Sequence, residues 1–343
     1  MRIGFSFWGF LGSGIIDTPD GGRFWRRPIV DELIGLGHEV VLLQTDRDHT
    51  EAGQALPYRW HAGFPAVDVL MCEWRWPLPG RNTTPCGSVG HTCDLHRQAD
   101  LITSYSNAGV PTLIWDTDRQ LPTDVSLRQL RNVLVCEPGL ALPPGSVSLP
   151  TPVPDRLLDA ADPAELSARA RRLALAYVGN QYDRDGDFDA FFAPAAARFP
   201  HQVAGKWTQT SRWPWVNFTG RCSFSQTRAV YLTATTTILL NRARYSRVGH
   251  VSQRLGEAVL AGCLPLTPAS LACADVYTPS ALHVADGAET VERIAWAQRI
   301  VGSREHEELI EACLLLLEPF RLSAWACRLT QLMTTIPTGS ERT

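Results

Sequence analysis

Short apolar runs alternate with helical patterns along the first part of the chain, and this alternation is typical of parallel βα units. Between the first two runs, Ile29, Leu33 and Leu36 recur at helical spacing, and a second helix is predicted over 96–109. The apolar runs predict buried strands at 2–8, 38–44, 67–74, 111–118 and 132–138. We therefore expect one parallel sheet covered by helices.

The same alternation restarts after a Pro-rich stretch at 138–155, whose composition is typical of a linker. A last amphipathic helix is predicted over about 320–333. Its apolar stripe consists of Leu322, Trp325, Leu329 and Leu332. Further strands are predicted at 173–180, 201–207, 235–241 and 263–268.

This pattern predicts an α/β protein with two successive domains. We expect an N-terminal Rossmann-like domain over 1–150 and a C-terminal one over 151–318. The remaining segment, 319–343, is expected to carry a helix that crosses back to the first domain.

The composition fits this organisation. At 343 residues, with 45% apolar and 20% charged residues, the chain is long enough for two cores. A net charge of -3 argues against broad binding to nucleic acids or membrane surfaces. The apolar start of the chain is interrupted by glycines and is expected to be a strand entering a loop, not a signal peptide. A cytoplasmic protein with no membrane span is therefore expected.

The nine cysteines are scattered, and no CxxC motif occurs. Cys86 and Cys93, with His91 and His96 close by, are the one group that resembles a zinc site. Their spacing differs from that of common zinc motifs. We therefore expect reduced thiols and no metal site.

The stretch "HVSQRLGEAVLAGCLPL" predicts a helix over 252–261 that begins with charged residues and leads into a buried strand. Ser252 is the predicted N-cap, and Gly262 is predicted to end the helix. In open α/β folds, ligands bind at the carboxyl edge of the sheet, toward which this helix start would point. The alternative is that Arg254 and Glu257 form a surface ion pair near a helix N-terminus.

Three motifs of the second half carry a resemblance to a known family. They are "YVGN" (177–180), "TILLN" (237–241) and "RLGEAVLAGCLPLT" (254–267). With them, residues 174–300 resemble the GT-B glycosyltransferases of the retaining family-four kind, especially its spore-maturation-protein-like branch. The first half is similar only in its pattern. The resemblance implies two Rossmann-like domains facing across a cleft, and transfer of a sugar from a nucleoside-diphosphate sugar with retention and without a metal or other cofactor.

The resemblance also implies a donor site. Glu257 would accept hydrogen bonds from the ribose diol. Backbone N–H groups at the helix start and basic side chains would hold the diphosphate. Lys206 is the only lysine of the chain, and a solvated surface lysine is the alternative. The predicted donor-binding residues are Gly179, Asn180, Arg184, Lys206, Gly249, His250, Val251, Ser252, Arg254 and Glu257.

The first domain is expected to face the acceptor. "DTD" (116–118) resembles the metal-binding motif of a different glycosyltransferase fold, but we predict that Asp116, Asp118 and Arg119 line the cleft as catalytic residues. A structural ion pair is the alternative. The predicted acceptor-binding residues are Gly22, Arg23, Trp25, Arg27 and Trp115; the alternatives are a solvated loop and core aromatic side chains.

The overall charge favours a small-molecule or glycan acceptor, with a modified DNA base as the second choice. Two other classes of protein also fit these residues: a non-catalytic nucleotide- or sugar-binding protein, and a GT-B-like nucleotide-sugar epimerase. The glycines at 12–14 and 21–22 lack the spacing of a dinucleotide-binding motif, so an NAD enzyme is poorly supported.

Overall fold

A computed structural model describes residues 1–7, 24–44, 57–78, 82–89, 91 and 93–339. Over these residues the chain forms two parallel sheets, one of seven strands and one of five. In the part of the chain thus described, no helix combines the length and the apolar character that crossing a bilayer requires.

The first sheet has the strand order β3-β2-β1-β4-β5-β6-β7. All residues of β4 and β5 are buried, as expected for central strands covered by helices on both faces. The strands are β1 (Arg2–Ser6), β2 (Glu39–Leu42), β3 (Arg59–Trp60), β4 (Val69–Glu73), β5 (Thr112–Trp115), β6 (Val133–Glu137) and β7 (Val147–Ser148).

The second sheet has the order β12-β11-β10-β8-β9. Its three central strands are almost completely buried, which explains why their sequences are continuous apolar or Thr-rich runs. The strands are β8 (Leu173–Val178), β9 (His201–Ala204), β10 (Ala234–Ile238), β11 (Leu264–Pro268) and β12 (His283–Val284).

The helices lie on the faces of the sheets and in the connections. The first domain has α1 (Arg26–Gly35) and α2 (Asp94–Asn107). The others are α3 (Asp155–Asp159), α4 (Pro163–Ser167), α5 (Asp185–Asp187), α6 (Ala193–Ala196), α7 (Phe224–Leu232), α8 (Ala243–Ser246), α9 (Arg254–Val259), α10 (Ala274–Tyr277), α11 (Gly287–Ile300), α12 (Arg304–Leu317) and α13 (Leu322–Thr335).

The longer strands lie where the apolar runs predict them, but the three two-residue edge strands were not predicted. A pair of residues has no periodicity that a sequence pattern could reveal. The stretch "DFDAFFAPAAARFP" predicts one helix over 187–200; the structure instead has α5, a π-helical turn at Phe188–Phe192, and α6. Pro194 stands in the first turn of α6, where its missing N–H breaks the helical hydrogen-bond pattern.

The final helix, α13, packs against α1 of the first domain. Trp325 donates a hydrogen bond from Nε1 to the Pro150 carbonyl at 2.6 Å, and His38 Nε2 lies 3.3 Å from Thr330 Oγ1. The linker joins this contact, because the Val153 N–H donates to the Phe320 carbonyl at 2.8 Å. The residues of the predicted apolar stripe, Leu322, Trp325, Leu329 and Leu332, are all buried.

Arg171 fixes the amino end of the second sheet. Its guanidinium donates to the carbonyls of Leu232 and Ala261 at 2.9 Å and of Gly262 at 3.0 Å, groups that the ends of α7 and α9 leave without helical partners. It also donates to the Leu166 carbonyl at 2.7 Å, so one cation binds three helix ends. Burial lowers the pKa of Arg171.

We predict that Arg171→Ala lowers the free energy of unfolding by about 3 kcal/mol, because it leaves several buried carbonyl groups without donors. Urea unfolding followed by circular dichroism measures this change. Arg172→Ala is the matched control, because the neighbouring arginine is exposed. Equal stabilities of the two variants would contradict the capping role.

Candidate active site

The candidate site lies at the carboxyl edge of the second sheet. β8 ends at Val178, β9 at Ala204 and β10 at Ile238, and the three strands are parallel neighbours. The residues that follow these strands therefore gather at one edge, where open α/β folds bind ligands. Most of the predicted donor-binding residues lie here.

Arg254 lies directly over Gly179. Its Nε donates to the Val178 carbonyl at 2.7 Å, and its Nη1 donates to Ser252 Oγ at 3.0 Å. A Cβ atom at position 179 would lie 2.7 Å from both Nε and Nη2 of this guanidinium. Glycine is therefore required at position 179, because any side chain would displace Arg254 from the end of β8.

The loops after β8 and β9 contact each other through their backbones. Gly205 has a φ of +138, and a Cβ atom there would overlap the Gly179 carbonyl. Asn180 Oδ1 accepts a hydrogen bond from the Lys206 backbone N–H at 2.8 Å, and Trp207 Nε1 donates to the Gly179 carbonyl at 2.8 Å. The structure thus brings together three residues of the predicted donor set, and the Lys206 side chain is partly exposed beside them.

Arg184 is buried at the same edge. Its guanidinium donates to three backbone carbonyls, those of Asn180 and Tyr182 at 3.0 Å and of Leu240 at 3.3 Å. Burial lowers the pKa of Arg184 to about 10, so the group remains a cation at neutral pH. Among the described residues, its hydrogen-bond partners are all carbonyls and none is a carboxylate.

His250 packs against Tyr245, with ring centroids 4.1 Å apart. Burial, together with several nearby arginines, lowers the pKa of His250 to about 3, so the imidazole is neutral. Its Nδ1 is buried and has no hydrogen-bond partner within the described ranges. The arginines that act on it are Arg119, Arg242, Arg244 and Arg184.

Glu257 lies on α9, one turn after Arg254, and is partly buried. Burial is the main cause of the raised pKa of Tyr231, and the Glu257 carboxylate adds to it. Glu257 therefore lies close to α7 as well as to Arg254. The helix is shorter than predicted: Gln253 occupies its N-cap position and no side chain caps it, whereas Gly262 has the predicted left-handed conformation at φ +68.

The loop before α9 lies against the linker between the domains. Gly249 has a φ of +60, and its carbonyl accepts a hydrogen bond from Tyr277 Oη at 2.5 Å. Val251 and Ser252 line a shallow, open depression together with linker residues 150–153. The depression thus adjoins Ser252, whose hydroxyl oxygen accepts a hydrogen bond from Arg254.

Asp118 joins the two domains. Tyr245 Oη donates to Asp118 Oδ1, and Arg242 Nη1 donates to the same oxygen at 3.2 Å. Arg244 Nε donates to the Asp118 main-chain carbonyl at 3.2 Å. The sequence predicts a catalytic role for Asp118, but in this structure its carboxylate binds side chains of the second domain across the cleft.

A second contact between the domains, in which Gly139 lies against Val248, requires a glycine at position 139. A Cβ atom on Gly139, in the loop after β6, would lie 2.8 Å from the Val248 carbonyl. The Ala141 N–H donates to that carbonyl at 2.9 Å. The loops at the carboxyl edges of the two sheets are therefore in direct contact at two places.

Asp116 organises the loop after β5. Its two carboxylate oxygens accept the backbone N–H groups of Gln120 at 2.9 Å and Leu121 at 2.7 Å. Burial raises the pKa of Asp116 to about 6 despite these hydrogen bonds. Arg119 has a φ of +53, and its guanidinium pairs with the buried Glu137 carboxylate. The geometry thus favours structural roles for Asp116 and Arg119, which the sequence leaves as the alternative to catalysis.

Two of the predicted acceptor-binding residues are core residues. The Trp115 ring lies between those of Trp25 and Trp325, at centroid distances of 4.8 Å and 5.2 Å, and its Nε1 donates to the Leu149 carbonyl at 3.0 Å. Trp115 is fully buried and Trp25 is 4% exposed. This burial corrects the expectation that they stack on an acceptor, because neither ring has a face open to a ligand.

The other predicted acceptor residues lie in or near the glycine-rich segment. Arg27 is partly exposed, with its Nε 3.8 Å from a carboxylate oxygen of Asp31. Its neighbour Arg26 is buried and pairs with Glu73 at 2.6 Å. Gly22 and Arg23 lie outside the described residues.

Three further candidate residues lie at this edge and were not predicted from the sequence. Arg242, Arg244 and Tyr245 surround His250 and bind Asp118. Their signal is visible in the sequence, because "NRARY" (241–245) directly follows the strand motif "TILL". A basic and aromatic run immediately after a buried parallel strand is expected at the ligand-binding edge of the sheet.

No protein-family model and no curated protein matches the chain. Several solved structures do. The T4 phage β-glucosyltransferase in complex with UDP and Mn²⁺ has a TM-score of 0.63 and 12% identity, covering 97% of this chain and 99% of that chain. A structure of the DNA-modifying enzyme β-glucosyltransferase, with and without UDP-glucose, has a TM-score of 0.62 and 12% identity, covering 97% and 100%. Sucrose-phosphate synthase from Thermosynechococcus elongatus has a TM-score of 0.54 and 13% identity, covering 97% and 98%.

The similarity extends over both sheets and the connection between them, as the coverage of each chain shows. The chain has the GT-B fold. The predicted fold class is thereby confirmed. Sequence identities of 12–13% show that the fold is shared and nothing more. Assignment to the family-four branch therefore stays a prediction.

We predict that Asp118→Asn opens the cleft of the unliganded protein. The neutral amide would lose the charge that holds Arg242 and Tyr245, so the radius of gyration should rise above the roughly 20 Å expected for a compact chain of this length. Small-angle X-ray scattering measures this radius. Asp124→Asn, an exposed residue near the same loop, is the control. Identical scattering from the two variants would show that Asp118 does not hold the domains together.

Proposed function

We propose that this protein is a glycosyltransferase that binds a nucleoside-diphosphate sugar at the carboxyl edge of the second sheet. The observation that carries the proposal is the pair of arginines at this edge, Arg184 and Arg254. Their hydrogen bonds go to carbonyl and hydroxyl oxygens within the described part of the chain. Two cations held close together at one sheet edge favour a polyanionic ligand, because guanidinium groups form strong charge-assisted hydrogen bonds with phosphate oxygens.

The diphosphate would lie near Arg254 and Arg184, with Lys206 and the neutral His250 as further hydrogen-bond donors. The ribose would bind Glu257, since a carboxylate can accept hydrogen bonds from two adjacent hydroxyl groups. Backbone N–H groups of 249–252 remain candidates for the phosphate oxygens. Because α9 has only six residues, the side-chain cations contribute more to this site than the helix dipole does.

The similar structures support this donor class. The T4 phage enzyme was solved with UDP and Mn²⁺, and the DNA-modifying β-glucosyltransferase with and without UDP-glucose. The motifs "YVGN", "TILLN" and "RLGEAVLAGCLPLT" support the family-four branch, and with it retention of the anomeric configuration. In the transfer, the bond between the anomeric carbon and the diphosphate breaks and a bond to an acceptor oxygen forms. The protein would act mainly by orientation and by stabilising the departing diphosphate, without a metal.

The acceptor would approach from the first sheet, whose carboxyl edge faces the donor edge through Asp118 and Gly139. We propose a hydroxyl-bearing small molecule or glycan, because the chain is acidic overall. A hydroxylated DNA base is the second candidate. The similarity to the DNA-modifying enzyme β-glucosyltransferase, which extends over almost the whole chain, supports this second candidate. Two arginines are predicted to bind the acceptor, and the described residues include one of them, Arg27. Arg27 would contact anionic groups of either acceptor.

We predict that Glu257→Gln weakens nucleotide-sugar binding by about 1.5–3 kcal/mol, or about 10–150-fold, because a neutral amide replaces a charged acceptor. Isothermal titration with UDP-glucose and other nucleotide sugars measures the change. Glu292→Gln, at an exposed position on α11, is the control. If Glu257→Gln binds every donor as the unchanged protein does, the carboxylate has no ribose contact and only stabilises the start of α9.

The transfer reaction is tested with a panel of nucleotide sugars and three acceptor pools: hydroxylated small molecules, oligosaccharides and hydroxymethylated DNA. Unmodified DNA is the matched control, and mass spectrometry detects the added sugar. We expect transfer to one pool with a chelator present. Activity that a chelator abolishes and Mn²⁺ restores would contradict the metal-independent mechanism. Donor binding without turnover would indicate a non-catalytic protein, and conversion of the donor without an acceptor would indicate an epimerase.

A further inference from the structure

A group of four potential metal ligands lies in the first domain, between β4 and α2. The Sγ atoms of Cys86 and Cys93 and one ring nitrogen each of His91 and His96 all lie within 4.8 Å of one another. Around a tetrahedral zinc ion, bond lengths of about 2.0–2.3 Å place the ligand atoms roughly 3.3–3.8 Å apart. The distance of 3.3 Å between Cys86 Sγ and His96 Nδ1 already matches that spacing. Only small side-chain rotations would complete the tetrahedron.

The hydrogen bonding of His91 suits a metal ligand. Its Nδ1 lies 3.1 Å from Thr84 Oγ1, so the hydroxyl can accept a hydrogen bond from the Nδ1–H group. That bond would leave Nε2 as the nitrogen with an available lone pair. Nε2 is buried and has no hydrogen-bond partner in the described residues. Histidine ligands of metals commonly have one nitrogen on the metal and the other held by such a partner.

Cys93 and His96 are placed by the start of α2. Cys93 is the N-cap residue, with a left-handed φ of +49 and no side-chain capping hydrogen bond, and His96 stands in the first turn. A non-glycine residue in this conformation is strained and is found where the surrounding structure or a ligand stabilises it.

The cluster lies in a long irregular connection. The structure describes no regular element from Trp74 to Cys93 in the ranges 74–78, 82–89 and at 91 and 93. The Asn82 side chain fixes part of this connection. Its Oδ1 accepts a hydrogen bond from the Leu78 N–H at 2.6 Å, and its Nδ2 donates to the Trp76 carbonyl at 3.0 Å. Loops of this length are uncommon in compact domains unless they carry a function or are tied down. A metal joining Cys86 to His96 would fix the second half of the loop to α2.

We propose that Cys86, His91, Cys93 and His96 bind one zinc ion that holds the loop after β4 to the start of α2. Two thiolates and two imidazoles are a typical ligand set of structural zinc, and four protein ligands leave no position for a substrate. On binding, the two thiols release their protons to solvent, and Cys86 and His96 are exposed enough for the ion to enter. This inference replaces the expectation of ordinary thiols, and it is independent of the glycosyltransferase proposal.

The test is metal analysis of the full-length, tag-free protein after expression with added zinc. We expect one zinc per chain, and after exchange with Co²⁺ the visible absorption bands of a tetrahedral cobalt–thiolate site. Cys93→Ser and His96→Asn should lose both signals. Cys273→Ser and Cys327→Ser are the control variants and should retain the metal, because these two cysteines are accessible and lie in other parts of the fold.

Thr84→Val gives a finer test, because it changes no ligand. Removing the hydrogen-bond partner of a histidine ligand typically weakens metal affinity about 10–100-fold, so competition with a zinc indicator should show a shift of this size with an unchanged cobalt spectrum. The proposal is overturned if the unchanged protein holds no zinc above background. It is also overturned if Cys93→Ser and His96→Asn, confirmed as folded by circular dichroism, keep the metal with the same spectrum.

Discussion

Guanidinium groups with little or no solvent exposure hold the loops at the ends of both sheets. The rest of the structure depends on which carbonyl and carboxylate oxygens bind these cations. Of the 32 basic residues, only Lys206 is a lysine. Arginine suits burial because it remains charged and offers five donors in a planar arrangement, whereas a buried lysine tends to lose its proton. Arg171 illustrates the use of these donors, since one side chain binds the carbonyl ends of three helices.

The partners of the buried arginines distinguish two uses of the same side chain. In the first domain, Arg26 pairs with Glu73 and Arg119 with Glu137, so these cations are neutralised within the protein. At the carboxyl edge of the second sheet, carbonyl oxygens orient Arg184 and Arg254, and the Asp187 and Glu257 carboxylates act on these cations electrostatically, without a direct ion pair among the described residues like those of the first domain. The protein itself fixes these cations, which is the preorganisation that the proposed donor site would require.

The first domain reaches this edge through loops that need their own supports. Asp116 binds the backbone of its own loop, and that loop presents Asp118 to Tyr245 and Arg242. The loop after β4, the neighbouring strand, carries the cysteine and histidine cluster. The Asp116 carboxylate and the proposed metal would thus stabilise adjacent irregular segments of the first domain.

The sequence by itself determined the elements whose signal is local: the longer buried strands and the glycine that ends α9. A parallel strand buried on both faces must be apolar, and the residue after it must lie at the ligand-binding edge. The tertiary structure decided which residues meet. Trp115 is a core residue because α13 returns to cover it, and Asp118 is bound because the second domain presents Tyr245. The spacing of Cys86, His91, Cys93 and His96 follows no common motif, because an irregular loop, not a regular hairpin, brings their ligand atoms together.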